Sequence, residues 1–386
     1  MRCSGGFEPE RRQIANPVPI ETIAMTKACT ILTTCALTVA VLAAGPVYAH
    51  GAEGLTGQAA WSAWSLTPQI SGPILLVLAI YAHGAWRRRT ASRPYARLRH
   101  TVFVAGMLAL FLSLQSPLDP MGERLFLAHQ IQHLLLRMIG PMLVMLARPQ
   151  GVFIAGLPNV LRRFFAAPLM TNSALSRFYD FLTHPTVAFI LFVLSMYAWQ
   201  IPSIHNVALL DPLIHWSMHL TMLIAGLLFF AMIFSPRDRP SAAPHALRVL
   251  LLFATIVSNI LLGAIIAFKS TVIYTAYDIE GRLFGIMPLT DESIGGFILW
   301  VPASMMSIIA IIIVVYDWNA IEKKRLRRGY AMGQIKTGPS DYPISGNESR
   351  ANAAASNRRL ALMLMLTVMV MFTLIMGTAI FVVSLG

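Results

Sequence analysis

Long apolar segments follow one another along the chain and are separated by shorter polar segments. An α-helix needs about 20 apolar residues to cross the hydrocarbon core of a bilayer, and eight segments come close to this length. They cover residues 70–86, 100–116, 125–147, 185–201, 213–234, 247–267, 295–316 and 360–384. The pattern predicts an all-α fold, a polytopic integral membrane helix bundle with a seven-helix core and an eighth C-terminal span.

Charge alternates between the polar segments in the way that membrane topology produces. Segments 87–99, 148–183, 235–248 and 317–359 contain 22 Lys/Arg and six Asp/Glu, whereas segments 50–69, 117–124, 202–212 and 268–294 contain three Lys/Arg and eight Asp/Glu. By the positive-inside rule the first group faces the cytoplasm. The net charge of +13 therefore reflects topology, and nucleic-acid binding is not needed to explain it. We expect a multi-pass protein in the lipid of a bacterial inner membrane.

The first 49 residues are typical of an N-terminal extension followed by a secretory signal. Lys27 precedes an apolar stretch, and Val47-Tyr48-Ala49 resembles a signal-peptidase site. The three cysteines lie at positions 3, 29 and 35. Cleavage after Ala49 would therefore leave a mature protein without thiolate ligands or disulfides; an uncleaved first helix is the alternative interpretation.

The remaining chain divides into three parts. Residues 50–318 form the predicted seven-helix membrane core, and residues 360–386 contain the eighth span. Residues 319–359 between them are basic and rich in Gly, Ser, Asn and Ala, a composition typical of a flexible linker.

Two histidine pairs with i, i+4 spacing are the strongest candidates for chemistry. His129 and His133 lie in the third apolar segment, and His215 and His219 lie in the fifth. This spacing puts both imidazoles of a pair on one face of a helix. Because the two segments run in the same direction, the pairs lie at one depth near the periplasmic face. Four imidazoles are enough for a metal site; hydrated interfacial histidines bonded to loop carbonyls are the alternative.

Glycines follow both pairs at a constant distance. Gly140 and Gly226 each come seven residues after the second histidine, on the histidine face of an ideal helix. Small residues allow membrane helices to pack closely. We therefore expect these two glycines to bring the histidine faces of the two helices together.

Several other residues are weaker candidates. His205, His50 and Met222 are further metal ligands that the sequence offers, with His50 able to chelate copper if cleavage makes it the N-terminus. Arg137 lies within a span and should face a cavity, a carboxylate or a bound anion, with snorkelling as the alternative. Asp211 is placed to cap the fifth span or to orient a ligand imidazole. Asp291 is placed to act similarly at the start of the seventh.

The histidine pattern excludes some classes of protein. His129-Gln130-Ile131-Gln132-His133 resembles H-E-x-x-H, but Gln130 cannot act as the general base of a metalloprotease. A di-haem protein would need axial histidines in two layers, and here both pairs lie in one. A single haem between the two helices stays open, as does copper or haem transport.

Larger motifs carry a resemblance to a known family. Ala128-His129-Gln130-Ile131-Gln132-His133-Leu134-Leu135-Leu136, Gly140-Pro141, Ala147-Arg148-Pro149, Asp211-Pro212, His215…His219 and Pro288-Leu289-Thr290-Asp291 resemble the polytopic CtaG-type cytochrome c oxidase assembly factors. The sequence departs from the family at Arg137, which replaces a usually apolar residue, and at Glu292, which replaces glutamine. The linker and the eighth span look like additions.

The resemblance implies a non-enzymatic role in maturing a haem–copper oxidase, by delivery of copper to it. Carried over by position, the metal-handling residues would be His129, His133, His215 and His219. The implied cofactor is copper, with haem as the weaker alternative. The implied partners are oxidase subunits or a copper chaperone.

Overall fold

A computed structural model describes residues 57–88, 94–166, 172–235 and 243–331. The described residues form helices and connecting segments, without β-strands. The predicted all-helical class is therefore confirmed for this part of the chain. The signal-like segment 1–49, His50 and the eighth span 360–384 lie outside the described residues.

The principal helices follow one another with short connections. In chain order they are α1 (Pro68–Arg87), α2 (Pro94–Gln115), α3 (Leu118–Arg124), α4 (Phe126–His133), α5 (Gly140–Leu146), α6 (Gln150–Gly156), α7 (Ser173–Leu182), α8 (Pro185–Gln200), α9 (Pro202–Leu210), α10 (Pro212–Ile233), α11 (His245–Ala267) and α12 (Pro288–Ala331). A π-helical segment, Leu134–Ile139, joins α4 to α5, and short helical turns cover Asn159–Leu161 and Arg162–Ala166. The 3₁₀ turns are Ala59–Ser62, Thr275–Asp278 and Leu283–Gly285.

Several of these helices have the length and apolar composition of membrane spans. Five qualify individually, namely Pro68–Arg87, Arg97–Gln115, Pro212–Ile233, His245–Ala267 and Pro288–Arg327. Two bent pairs, Phe126–Leu146 with Gln150–Gly156 (77°) and Ser173–Leu182 with Pro185–Gln200 (62°), would raise the number to seven. The described chain is thus a helical bundle of the multi-pass membrane type. Helix α12 continues to Ala331, so residues 319–331 of the predicted linker are helical.

The helix α10 lies at the centre of the bundle, where its second half is buried from Met222 to Phe234 except for Ile224. Its aromatic residues Phe229 and Phe230 pack against Phe192 of α8 in the main apolar core. Met138, Met142 and Met145 are buried in the same core. These three methionines therefore pack the interior of the bundle.

A buried ionic cluster fixes one end of the bundle, and we call it the Arg282 cluster (Arg282, Lys269, Asp291 and Glu292). Arg282 donates to Asp291 (2.5 Å) and to Glu292 (3.0 Å), and Lys269 pairs with Glu292. Both carboxylates are fully buried, and Arg282 is almost so. Buried charges of this kind persist only when they are paired and hydrogen-bonded.

The same two carboxylates also accept backbone hydrogen bonds. Asp291 accepts from the amides of Phe126 and Leu127, both at 2.9 Å, in the first turn of α4. Glu292 accepts from the amides of Ile273 and Tyr274, in the loop between α11 and α12. The sequence offered Asp291 as a cap of its own helix or as a partner of a ligand imidazole, whereas its carboxylate caps α4 by accepting from the amides of Phe126 and Leu127.

Asp211 behaves as the capping interpretation predicts. Its Oδ1 accepts from the amides of Leu213 (2.8 Å) and Ile214 (3.0 Å) at the start of α10. A side-chain oxygen at this position satisfies amides that have no partner within the helix. Asp211 thus helps to start the helix that carries His215 and His219.

Helix α3 places two carboxyl groups in a partly buried position beside α4. Asp119 accepts hydrogen bonds from Gln132 (2.7 Å) and Ser65 (3.3 Å), and burial raises its pKa to about 6. Burial, followed by repulsion from Asp119 and Glu280, raises the pKa of Glu123 to about 8. The connecting segments at this end are therefore less negative than their sequence indicates.

We expect Asp291→Ala to destabilise the protein by about 3–5 kcal/mol, because it leaves Arg282 and two amides of α4 without their acceptor. Asp211→Ala is the matched control, since it removes an exposed helix cap worth about 1 kcal/mol. Denaturant unfolding of the purified protein in one detergent measures both. Equal losses for the two variants would contradict the assigned role of the Arg282 cluster.

We also expect stability to fall as pH rises through the elevated pKa of Glu123. A carboxyl whose pKa is higher in the folded than in the unfolded state stabilises the fold when protonated and loses that contribution as it ionises. Glu123→Gln should therefore match the wild type at about pH 4 and melt a few degrees higher at about pH 9. Melting curves of both proteins across this range test the sign, and parallel curves would refute it.

Candidate metal centre

Three buried histidines bring their ring nitrogens to one point. One nitrogen each from His129, His133 and His219 lies within 4.8 Å of the other two. His129 and His133 come from α4, and His219 comes from α10. The two pairs that the sequence placed on separate helices therefore face each other across a shared interface.

His215 completes the group that we call the histidine cluster (His129, His133, His215 and His219). Its ring centroid is 4.6 Å from that of His219 and 5.2 Å from that of His129. His129 and His133 are 4.3 Å apart, and His133 and His219 are 5.5 Å apart. All four side chains are buried.

The histidine cluster contains ring nitrogens without a hydrogen-bond partner. They are His129 Nε2, His133 Nδ1 and Nε2, His215 Nε2 and His219 Nε2. Buried polar atoms are normally paired, and each unpaired one costs about 1–3 kcal/mol. An ion that accepts several of these lone pairs at once would remove that cost. The unpaired atoms and the all-nitrogen donor set fit a transition metal such as copper, zinc or nickel.

A chain of hydrogen bonds sets the tautomer of His129. The Nδ1–H of His205 donates to the carbonyl of Trp199 (2.9 Å), so its Nε2 accepts from the hydroxyl of Tyr277 (2.9 Å). The oxygen of Tyr277 in turn lies 2.9 Å from His129 Nδ1, which is also 3.1 Å from the carbonyl of Gly122. Because that carbonyl can only accept, Nδ1 of His129 carries the hydrogen. The lone pair of the neutral ring is therefore on Nε2, the unpartnered nitrogen.

His205 thus lies beside the histidine cluster, and its two ring nitrogens bond to the carbonyl of Trp199 and the hydroxyl of Tyr277. Burial lowers its pKa to about 4, against the opposing effects of the Trp199 carbonyl and Glu292. It is neutral near pH 7, as the hydrogen-bond chain requires. Tyr277 lies in the 3₁₀ turn Thr275–Asp278, and sequence reasoning missed it because nothing local in the loop marks a contact with α4.

A π-helical segment follows His133 directly, from Leu134 to Ile139. Pro141 has no N–H and cannot donate to the carbonyl four residues earlier, which belongs to Arg137. The wider turn accommodates this defect, as π-helical turns do at functional sites. Gly140-Pro141 in the sequence was the available signal for the irregularity.

The wider turn rotates Gly140 away from the histidine face. A side chain at Gly140 would overlap Leu110 of α2, so this glycine serves the contact with that helix. A side chain at Gly226 would overlap the carbonyl of Arg137, so α10 does approach the π-helical segment closely there. The expectation for Gly226 holds, and that for Gly140 was wrong because it assumed a regular helix.

Arg137 is buried and does not snorkel to the surface. Its Nη2 donates to the carbonyl of Phe192 (2.7 Å), and its guanidinium carbon lies 3.7 Å from the centre of the Phe192 ring. Met222 is also buried, in an apolar group with Phe126, Met196 and Met218. It is a packing residue there.

Comparison with known proteins finds related chains in mycobacteria. The uncharacterized proteins Mb0105 of Mycobacterium bovis (strain ATCC BAA-935 / AF2122/97) and MT0111 of Mycobacterium tuberculosis (strain CDC 1551 / Oshkosh) are each 31% identical over 278 residues, 69% of this chain. The uncharacterized protein ML1998 of Mycobacterium leprae (strain TN) is 27% identical over 260 residues, 64% of this chain. The matched regions make up 40%, 40% and 38% of these relatives, so the chain spans less than half of their length.

No solved structure matches the chain. The family model for the cytochrome c oxidase caa3 assembly factor, Caa3_CtaG, matches residues 79–320. This range begins in α1, ends in α12 and includes the whole histidine cluster. The chain belongs to the cytochrome c oxidase caa3 assembly factor (Caa3_CtaG) family.

Proposed function

We propose that the protein assists the assembly of a cytochrome c oxidase by holding a copper ion in the histidine cluster and passing it to an oxidase subunit or to a copper chaperone. Family membership supplies the process. The observation that carries the copper assignment is the set of five buried ring nitrogens without partners, contributed by two facing helices. His129, His133 and His219 are the principal ligands, and His215 is the fourth.

The spacing of the nitrogens suits one ion after small side-chain rotations. Imidazole nitrogens bind such ions at about 2.0–2.1 Å, which puts neighbouring ligand atoms about 3–4 Å apart. The three nitrogens lie within 4.8 Å of one another. Copper forms the strongest complexes of the divalent first-row ions with such a site.

The space beside the histidine cluster favours an ion over haem. The cavity that His133 lines has a volume of ≈ 10 Å³, whereas pockets for organic ligands measure about 300–1,000 Å³. Gln130 also lacks a general-base function, because it is an amide whose oxygen accepts from Gln200 (3.0 Å). Both observations support a non-enzymatic protein that handles a bare ion.

The charge pattern of the sequence supports a location in the bacterial inner membrane. The histidine cluster lies at the end of the bundle where hydrogen bonds join α3, α9 and the loop between α11 and α12. These segments belong to the acidic set, for which the positive-inside rule favours the periplasmic side. Copper would then be received and released on that side of the membrane.

Removal of two ligands from opposite helices should abolish stoichiometric copper binding. We expect the double variant His133→Ala plus His219→Ala to lose most bound copper after mild purification, because it leaves one imidazole on each helix. The matched control is His83→Ala plus His100→Ala, whose imidazoles bond to Gly156 and Tyr81 instead. Metal analysis by mass spectrometry and an absorption spectrum for haem measure the outcome.

Equal copper content in the wild type and in His133→Ala plus His219→Ala would overturn the proposed site, and a strong Soret band in the wild type would favour haem. In cells, a strain without the gene should lose oxidase activity and regain part of it with added copper. The same strain complemented with the histidine double variant should behave like the deletion. Complementation by that variant to full activity contradicts a role for the site in assembly.

The hydroxyl of Tyr277 should contribute to metal affinity by accepting from Nδ1–H of His129 and so orienting its ring. We expect Tyr277→Phe to weaken copper binding by about 10-fold or more, the effect that partners of ligand histidines commonly have. Tyr274→Phe is the matched control, because Tyr274 is a buried tyrosine of the same loop whose hydroxyl bonds to Gln200. Competitive titration with a copper chelator measures both, and equal affinities would refute the orienting role.

A further inference from the structure

A second polar site adjoins the histidine cluster deeper in the bundle. A cavity of ≈ 10 Å³ is lined by apolar side chains and by four polar residues: Gln130, His133, Arg137 and Asn259. Gln130 Nε2, Arg137 Nε and Asn259 Nδ2 have no hydrogen-bond partner, and all three residues are buried. Each of these atoms carries hydrogen and can only donate. The cavity is therefore bordered by residues with unused donors.

The side-chain amide of Gln130 is hydrogen-bonded to that of Gln200. The hydroxyl of Tyr274 lies 2.9 Å from the backbone oxygen of Gln200 and 3.0 Å from its side-chain oxygen, and the side-chain nitrogen of Gln200 donates to Oε1 of Gln130 (3.0 Å). The oxygen of the Gln130 amide is thereby occupied. Its NH₂ group remains as the unused part.

The positive charge of Arg137 has no carboxylate partner among the residues that the structure describes. Its contacts are the carbonyl and the ring of Phe192. The buried carboxylates of this end, Asp291 and Glu292, are paired with Arg282. An unpaired cation inside an apolar bundle is expensive, so a counter-charge close to Arg137 is expected.

The size and the chemistry of the cavity select the occupant. A volume of ≈ 10 Å³ is about what one water-sized particle needs. A water molecule accepts two hydrogen bonds and carries no charge, whereas three residues with unused donors, one of them a cation, border this space. Phosphate, sulfate and carboxylates exceed the available room.

We propose that this cavity binds a single monatomic anion of the halide class, such as chloride, held by Arg137 with the amides of Gln130 and Asn259. The anion neutralises the buried guanidinium and accepts the unused N–H groups. His133 borders both this site and the histidine cluster. The anion site does not depend on the proposed copper function, since its charge and donors come from other residues.

Chloride binding to the purified full chain in detergent micelles tests the proposal. Wild-type protein should broaden the ³⁵Cl resonance saturably and melt higher in chloride than in gluconate of equal ionic strength. Arg137→Met should lose both effects. The matched control is Arg248→Met, because Arg248 is a buried arginine whose Nε and Nη1 donate to backbone carbonyls, of Ala243, Ile233 and Ser235. It should lose stability but keep the saturable chloride effects.

Asn259→Ala keeps the charge of Arg137 and removes one hydrogen-bond donor from the cavity. It therefore tests chloride binding if Arg137→Met does not fold. We expect its chloride dissociation constant to rise about 10-fold, the effect of losing one hydrogen bond to a charged group. Identical wild-type behaviour in chloride and gluconate would show that the cavity holds water only. Unchanged chloride binding in Arg137→Met, or in Asn259→Ala, would also overturn the assignment.

Discussion

Two buried carboxylates, each bonded both to Arg282 and to backbone amides, hold together the end of the bundle that contains the histidine cluster. Asp291 and Glu292 each accept from Arg282 and from two backbone amides, those of α4 and of the loop before α12. Neither charge would be tolerated in this position without that set of partners. Through these carboxylates, the first turn of α4 and the loop that contains Tyr277 are both attached to Arg282. The position of His129 and the hydrogen bond that orients its ring both depend on this attachment.

The features that the sequence could predict are local or follow from topology. The i, i+4 spacing put His129 with His133 and His215 with His219, and the direction of the apolar segments put both pairs at one level. The apolar segments likewise predicted the bounds of α1, α8, α10 and α11 to within two residues, whereas α12 extends beyond the predicted span at both ends. Helical periodicity and charge are properties of short stretches, so they can be recognised in the sequence without knowledge of the tertiary structure.

The missed features depend on contacts between distant residues or on an irregular backbone. Asp291 caps a helix that begins 165 residues earlier, and Tyr277 bonds to a histidine 148 residues away. No periodicity in the loop encodes either contact. The face of Gly140 was mispredicted because the π-helical segment before Pro141 breaks the regular 100° step. A regular-helix projection fails wherever a proline removes a donor inside an apolar run.

The burial of the histidine cluster has a kinetic consequence. His129 and His133 are 0% and 1% exposed, and His219 is 8% exposed. Any ion that these nitrogens hold must therefore cross a transient opening of the surrounding helices or of the loop that the Arg282 cluster holds. The residence time of the ion would then depend on the frequency of that opening as well as on the affinity of the histidines for the ion. A nitrogen-only site that exchanges quickly in solution can become a slow one when the fold encloses it.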